Sequence, residues 1–394
     1  MPKIVSMTVI PIAFFVFLVQ ADFKRAAAIG SYPLLMIAGI LSVYALSVAV
    51  WIYNIEETAY IIAGTERIIF QIINICVVFS AVYIFGSRAV DYTLIGACIM
   101  NIIRLAQGVM VYGVSQSVSD FIYALRTGIQ TGFMAAAEIQ TVTYVFGLFL
   151  LYYLFASDYP LKKKAVYIGA CVFFILTGFK RIIFASVIAS VLAGFVGFKL
   201  KPRHREVYCM VLGIVTAVFS LFYIYAIRSG IFEYVMNSLD IETNMRIEIY
   251  NYMADTYVFS PSYVGRGIDY VVRYLEYLKT LGVSYGGSSL LYIHNDILVR
   301  FIEMGFVGFC GWLYACCIFS QKWMYKKFGI SCAFLYCLAN LYSFINYSVG
   351  NTNRAYAVRM SLAMVIVGAI SLYAAEKKKN TDIKQRGSGA YDKI

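Results

Sequence analysis

The sequence predicts an all-α polytopic integral membrane protein with about 11 transmembrane helices and one long, partly helical external loop. Three observations predict it. Hydrophobic residues make up 61% of the 394-residue chain and charged residues only 14%, against about 45–50% and about 25% in soluble domains. Apolar runs recur along the whole chain, several of them close to the roughly 20 residues that cross a bilayer. The basic residues behind the net charge of +12 sit in short clusters between those runs. That is the pattern of membrane loops, not of a nucleic-acid-binding face.

The apolar runs mark eleven candidate spans, at 4–20, 30–52, 68–86, 92–112, 139–156, 165–179, 182–198, 207–226, 304–320, 329–348 and 358–375. Lys24 and Arg25, Arg88, Lys162 to Lys164, the Lys199–Arg205 cluster, Lys322, Lys326 and Lys327, and the tail from Lys377 fall in alternate gaps. By the positive-inside rule that side is cytoplasmic. The other gaps carry Glu56, Glu57 and Glu66 and two long loops, at about 113–138 and 228–303. The chain thus divides into spans one to eight (1–227), the large external loop (228–303), spans nine to eleven (304–375) and a polar, Lys-rich tail read as disordered (376–394). Its basic character adds anionic lipid contact. The first span lacks the flanks and small-residue cleavage site of a signal peptide. No internal repeat stands out. The nine cysteines lie in or beside apolar runs with no CxxC pairing, so they are read as small apolar residues, not disulfides or metal ligands.

The large loop has its own pattern. Met245, Ile249, Tyr252 and Met253 recur at helical spacing. Pro261 and the Gly265-Arg-Gly267 turn break that helix, and a second helical stretch runs over Tyr270–Lys279. Ten tyrosines lie between Tyr234 and Tyr292. Such rings suit a membrane interface and also stack on sugars.

Ionisable groups within spans cost about 2.5–3.5 kcal/mol on insertion scales and mark partners or cavities. Arg104, Glu138, Lys180, Arg181, Arg228, Arg354 and Arg359 all fall toward the external ends of spans. Each terminal cation can snorkel to headgroups. Together they point to an externally open anion pocket, and arginine pairs bidentately with phosphate oxygens. His294, one of two histidines, closes the long loop. An ordinary imidazole accepts a proton near neutral pH. Asp296, Arg300 and Glu303 share a helix face beyond it and can pair. His204 sits in a basic cytoplasmic loop and is given no role.

Several motifs carry a resemblance to the O-antigen ligase/polymerase superfamily, and within it to polysaccharide repeat-unit polymerases of the Wzy type. Thr177-Gly-Phe-Lys-Arg181 precedes an apolar span. Arg246-Ile-Glu-Ile-Tyr250 is followed by Pro261 and Gly265-Arg-Gly267. His294-Asn295 leads into Glu303-Met-Gly305-Phe-Val-Gly308, and Glu138-Ile-Gln140 lies upstream. Gln140 stands where the family often has His or Asn. The resemblance covers about 138–320 and implies a GT-C-like fold. It implies a metal-independent, cofactor-free, inverting glycosyl transfer on undecaprenyl-diphosphate-linked oligosaccharides at the outer face of the bacterial plasma membrane. The product would be capsular polysaccharide, exopolysaccharide or O-antigen. His294 would activate the acceptor hydroxyl, with Arg181 and Arg246 on the leaving diphosphate. Arg228, Lys180, Arg104, Glu138, Asn295 and Arg354 would line the substrate. Gly265, Gly267, Gly305 and Gly308 would be structural, the last two in helix packing. A flippase and a chain-length regulator are the implied protein partners. Two alternatives stand beside this: a ligase of the same superfamily, and a transporter or flippase for lipid-linked oligosaccharide.

Overall fold

A computed structural model describes residues 22–54, 58–127, 132–133, 142–178, 180–240, 246–282, 284–285, 288–289, 293–350, 352 and 355–388, with positions 12, 15, 16 and 19 before them. The chain is helical almost throughout. In order the helices are α1 (Phe23–Asn54), α2 (Thr58–Phe85), α3 (Arg88–Tyr112), α4 (Val114–Thr127), α5 (Thr143–Phe155), α6 (Leu161–Thr177) and α7 (Arg181–Lys199). There follow α8 (Pro202–Arg228), α9 (Ile231–Ser238), α10 (Arg246–Met253), α11 (Tyr270–Thr280), α12 (Asp296–Tyr314), α13 (Ser320–Val349) and α14 (Tyr356–Ser388). A two-residue ribbon pairs Ser284–Tyr285 with Ser288–Ser289.

Seven helical runs among the described residues are long and apolar enough to cross a membrane, so this is an all-α polytopic membrane protein. The count is not the expected eleven, for identifiable reasons. The span at 4–20 lies outside the described residues apart from four positions. The span at 139–156 becomes α5, only 13 residues long. Its residues Thr143 to Tyr153 are all buried, so neighbouring helices rather than lipid surround it. The span at 165–179 becomes α6, 17 residues that open with Lys162, Lys163 and Lys164. The ninth and tenth spans merge into one run of 54 residues, Asp296–Val349.

That run is not straight. A π-helical turn, Ala315–Phe319, joins α12 to α13. At Gly329 the backbone takes φ 77°, ψ −177°, outside any helix. The chain doubles back there: the Tyr336 hydroxyl donates to the Cys316 carbonyl at 2.7 Å, and Gln321 Nε2 to the Ala333 carbonyl at 3.0 Å. Two passes therefore come from one continuous stretch. Three further details depart from expectation. The loop at 113–138 contains α4. The large loop contains a helix, α9, that periodicity did not single out. The last helix runs to Ser388, past the 376 boundary drawn for a disordered tail. All nine cysteines are free.

The helices pack around an aromatic-rich core centred on α5, α13 and α14, with Phe146, Phe149, Tyr153, Phe334 and Tyr342 fully buried. The basic clusters collect at one end of the bundle. Gly86 lies beside Arg25 and Ser371, and Lys163 reaches Asp91 at 3.9 Å. Arg205 caps α7 by donating to the carbonyls of Gly197, Phe198 and Leu200. Asp91, buried there, accepts from the hydroxyls of Tyr153 at 2.6 Å and Tyr159 at 2.5 Å. The large loop covers the opposite end.

Backbone contacts hold that loop down. Gly305 interrupts α12 with φ 71°, ψ 178°, a region open essentially to glycine alone. The break frees backbone groups, and the segment around Gly265 pairs with them. Arg266 N donates to the Ile302 carbonyl at 3.0 Å, Gly267 N to the Glu303 carbonyl at 2.8 Å, and Phe306 N to the Tyr263 carbonyl at 2.8 Å. A Cβ on Gly265 would stand 2.5 Å from Gly305 N. Gly305 is thus a backbone docking point, not the helix-packing residue expected. Gly308 does pack between helices, against Leu46 of α1. Side chains complete the seat. Asn54 donates to the Gly265 carbonyl at 3.0 Å, Ser47 Oγ accepts from Ile268 N at 3.3 Å, and Arg67 pairs with Asp269.

Gly305→Ala should therefore cost more than the roughly 1–3 kcal/mol of the backbone strain alone, because its Cβ would stand 2.3 Å from the Val264 carbonyl carbon. Gly308→Ala should cost less, since a flexible leucine end can move aside. Thermal melts of the detergent-solubilised proteins check this; equal melting of the two variants would refute the docking role.

Candidate active site at one end of the bundle

The site is built on the last turn of α13. The final carbonyls of any helix lack intrahelical partners. Here three different elements take them. The Tyr223 hydroxyl of α8 donates to the Ser348 carbonyl at 2.7 Å. Arg246 Nη2 of α10 donates to the Val349 carbonyl at 3.4 Å. The Asp296 N–H, at the start of α12, donates to the Gly350 carbonyl at 3.2 Å.

A fourth element arrives by helix packing. α7 runs antiparallel to α13, with Gly197 against Phe334 at one end and Asn346 Nδ2 donating to Ser186 Oγ at 3.0 Å near the other. That register sets Arg181, the first residue of α7, level with the end of α13, with an exposed side chain. The Lys180 ammonium before it lies 5.3 Å from the Tyr144 ring centroid. The Tyr144 hydroxyl is beside Gly350, and its carbonyl accepts from Tyr342 at 2.7 Å. Arg228 ends α8 one turn past Tyr223, with its guanidinium 5.8 Å from the Tyr257 ring centroid.

His294 stands at the rim, exposed, two residues before Asp296. Its φ of 49° is left-handed, which few non-glycine residues adopt and histidine does more readily than most. The turn lets the chain leave the loop and enter α12 at once. Asn295 then caps α12: its Oδ1 accepts from Leu298 N at 2.9 Å, and its Nδ2 donates to the Tyr250 hydroxyl at 3.2 Å. Asn295 is wholly buried, so it acts as a joint between α10 and α12.

The electrostatics follow from burial. Desolvation raises the Tyr250 hydroxyl's pKa, opposed by hydrogen bonds from Tyr223 and Asn295 and by the Arg246 charge. Desolvation likewise pushes Tyr257 up to about 12, with Arg228 opposing. Both phenols stay neutral near pH 7 and serve as uncharged hydrogen-bonding partners beside the cations. Glu248 lies on α10 between Arg246 and Tyr250, and its Oε2 is sealed from solvent with no hydrogen-bond partner among the described residues. Beneath the rim, Glu303 is 2% exposed. Its Oε1 accepts from Asp269 N at 2.9 Å and its Oε2 faces Arg300 Nη1 at 3.5 Å.

The structure thus gathers Lys180, Arg181, Arg228, Arg246, His294 and Asn295 at one end of the bundle. It does not gather the rest. Arg104 is exposed on α3 directly after the exposed Ile102 and Ile103, and among the described residues no hydrogen bond, ion pair or ring contact joins it to this group. Glu138 and Arg354 lie outside the described residues. Arg359 lines a different cavity, so the span-end cations do not form one pocket. Tyr223 and Glu248 went unnoticed in the sequence. Tyr223 has no signal there, being one tyrosine in an apolar span. Glu248 sits inside the Arg246–Tyr250 motif, where its alternation with apolar residues was the available clue. Among the described residues no three His, Cys, Asp or Glu side chains gather as a metal site.

A many-pass helical bundle with a cationic, tyrosine-rich end under a docked loop is the class defined so far. Residues 165–313, under half of the chain, match the family model described as O-antigen ligase. The matched stretch runs from α6 to α12 and takes in all six of the gathered residues. No curated protein and no solved structure matches the chain.

Asn295→Ala should lower stability by about 0.5–2 kcal/mol as a lost cap and should also release Tyr250. Asn295→Asp keeps the capping oxygen and should fall between. A thermal melt of Asn295→Ala equal to that of the unaltered protein would show that the joint holds nothing.

Proposed function

We propose that the protein is a glycosyltransferase that joins undecaprenyl-diphosphate-linked oligosaccharide repeat units into a long polysaccharide at the outer face of the plasma membrane. The observation that carries this reading is that Arg181, Arg246 and His294, from three separated sequence motifs, lie at the same end of the bundle, where α13 finishes. The O-antigen ligase match over the same stretch supports transfer of lipid-linked saccharide in general. The clustering of the basic loops at the opposite end of the bundle supports the outward orientation.

The chemistry runs as follows. The acceptor sugar hydroxyl gives its proton to the His294 imidazole as its oxygen attacks the anomeric carbon of the donor. The anomeric C–O bond to the diphosphate breaks, and the diphosphate leaves with the bonding electrons. Arg181 and Arg246 neutralise the charge that develops on it. Arg228 and Lys180 extend the cationic surface, and the Tyr257 and Tyr144 rings lie beside them. Attack opposite the leaving group inverts the configuration. The docked loop forms the groove in which the sugars lie.

A second reading has a specific observation behind it: the matching family model is that of a ligase. A ligase would use the same donor chemistry and pass a finished chain to a different acceptor. Polysaccharide gel profiles from a deletion strain separate the two. Single lipid-linked repeats without polymer mark a polymerase; full lipid-linked chains lacking their final acceptor mark a ligase.

His294→Ala should slow transfer by roughly 10²–10⁴-fold, the usual range for a lost general base, and leave single repeats to accumulate. Normal chain lengths from this variant would remove the base role. Arg181→Ala should behave similarly, and Arg181→Lys should restore activity only in part because the bidentate fork is lost. Cysteine-labelling that finds position 294 on the cytoplasmic side would sink orientation and mechanism together.

A further inference from the structure

A cavity of about 570 Å³ lies between α1, α2, α12, α13 and α14. It does not include Arg181, Arg246 or His294. The last turns of α13 stand between it and the candidate active site. Asn346 faces α7, whereas Phe344 and Tyr347 line the cavity.

The lining is graded along its length. At the end nearer Gly350 stand two guanidinium groups, Arg300 of α12 and Arg359 of α14. From there the chain presents Met304 and, beyond the break at Gly305, Gly308, Gly311, Trp312, Ala315 and Phe319, the last five spanning roughly 16 Å at helical rise. Leu35 to Leu46 of α1 face them. Ser42, Gln71, Asn74, Ser320 and Asn340 interrupt the apolar lining with polar groups. A ligand matching this surface has an anionic head and a long apolar chain.

The cations are unequally compensated. Arg300 pairs with Glu303. Arg359 Nη2 is shut off from solvent and has no hydrogen-bond partner among the described residues. Its electrostatic neighbours include two further cations, Arg300 and Arg67. A buried, underpaired charge beside like charges is costly. An anion entering from the cavity would offset that cost, and a phosphate accepts from several guanidinium nitrogens at once.

We infer that this cavity is a second lipid-phosphate site, holding an isoprenoid-type chain along α1 and α12 with its phosphate or diphosphate head at Arg359 and Arg300. It rests on the reading of the protein as a transferase between lipid-linked saccharides, for which it supplies a place for the second substrate, across the α13 end from Arg181 and Arg246. A bilayer phospholipid would answer to the same charge; the apolar stripe follows a single row of α12 residues, which suits one chain.

Two glycines make the test clean. At Gly39 and Gly311, both in the lining, an added Cβ would meet nothing within 4 Å. Gly311→Leu or Gly39→Leu therefore puts bulk into the cavity from a position where the new Cβ meets no neighbour. The probe is a photoreactive geranylgeranyl diphosphate, applied to the full chain in nanodiscs of neutral phosphatidylcholine, with labelled residues mapped by mass spectrometry. Labels should fall on the facing stretches of α1 and α12. Arg359→Gln and Gly311→Leu should each cut that labelling at least tenfold while melting stays unchanged. Labelling there that ignores both substitutions overturns the site. Competition by phosphatidylglycerol as effective as by unlabelled geranylgeranyl diphosphate overturns the choice of ligand, and so does protection by inorganic pyrophosphate alone. Because the readout is binding, an inactive protein labelled in this way keeps the site and refutes the transferase reading. An active transferase indifferent at both positions does the reverse.

Discussion

Three carbonyl groups at the end of α13 organise this end of the molecule. Ser348, Val349 and Gly350 cannot satisfy their oxygens within the helix, and each is taken by a different neighbour. Those neighbours are the elements that carry the candidate site: α8 with Arg228, α10 with Arg246, and the start of α12 with His294. A leftover of helix geometry thereby becomes a common reference point. The same end carries partial negative charge from the helix dipole, which suits the guanidinium it receives. Functional positions are fixed by hydrogen bonds to backbone, so their spacing is insensitive to which side chains line the last turn of α13.

The second constraint is the break at Gly305. A continuous helix would have closed its own hydrogen bonds and offered the loop nothing. By leaving the helical region, Gly305 exposes the carbonyls of Ile302 and Glu303 and the amide of Phe306, and the Tyr263–Gly267 segment uses all three. Glu303 adds a buried carboxylate that ties α11's start to Arg300. The loop is thus held by backbone hydrogen bonds of the kind that join strands, although it lies over the end of a helical bundle.

Much of the fold was legible in the sequence because the bilayer imposes a coarse rule on composition and length. The rule fails where helices are shielded by other helices. α5 is so thoroughly enclosed that 13 residues suffice, and no hydropathy window reports that enclosure. The two passes at 304–320 and 329–348 were legible from the lysines between them; the sequence did not convey that a single turn at Gly329 within a continuous helical run makes the reversal. The site was legible in a different way. Arg181, Arg246 and His294 stood out as charged or titratable groups at the edges of apolar runs. What the sequence could not convey was company: that Tyr223 and Asn295 are the joints between them, that Arg104 stands apart on the outer surface, and that Arg359 belongs to another cavity. Those facts depend on helix register and rotation, which are set by packing between residues far apart in the chain.

The seat of the large loop also bears on the order in which the molecule is made. Asn54 and the Gly265 carbonyl meet across 211 residues, and Ser47 and Ile268 across 221. Closing so long an interval is entropically slow unless the intervening chain is already compact. The helices from α2 to α8 must therefore be inserted and packed before the loop can find α1. The hairpin around Gly329 is local and can form as soon as its two passes emerge. The candidate site is then the last part to take shape, and a chain halted before α13 lacks both the helix end on which the site is built and much of the core around α5.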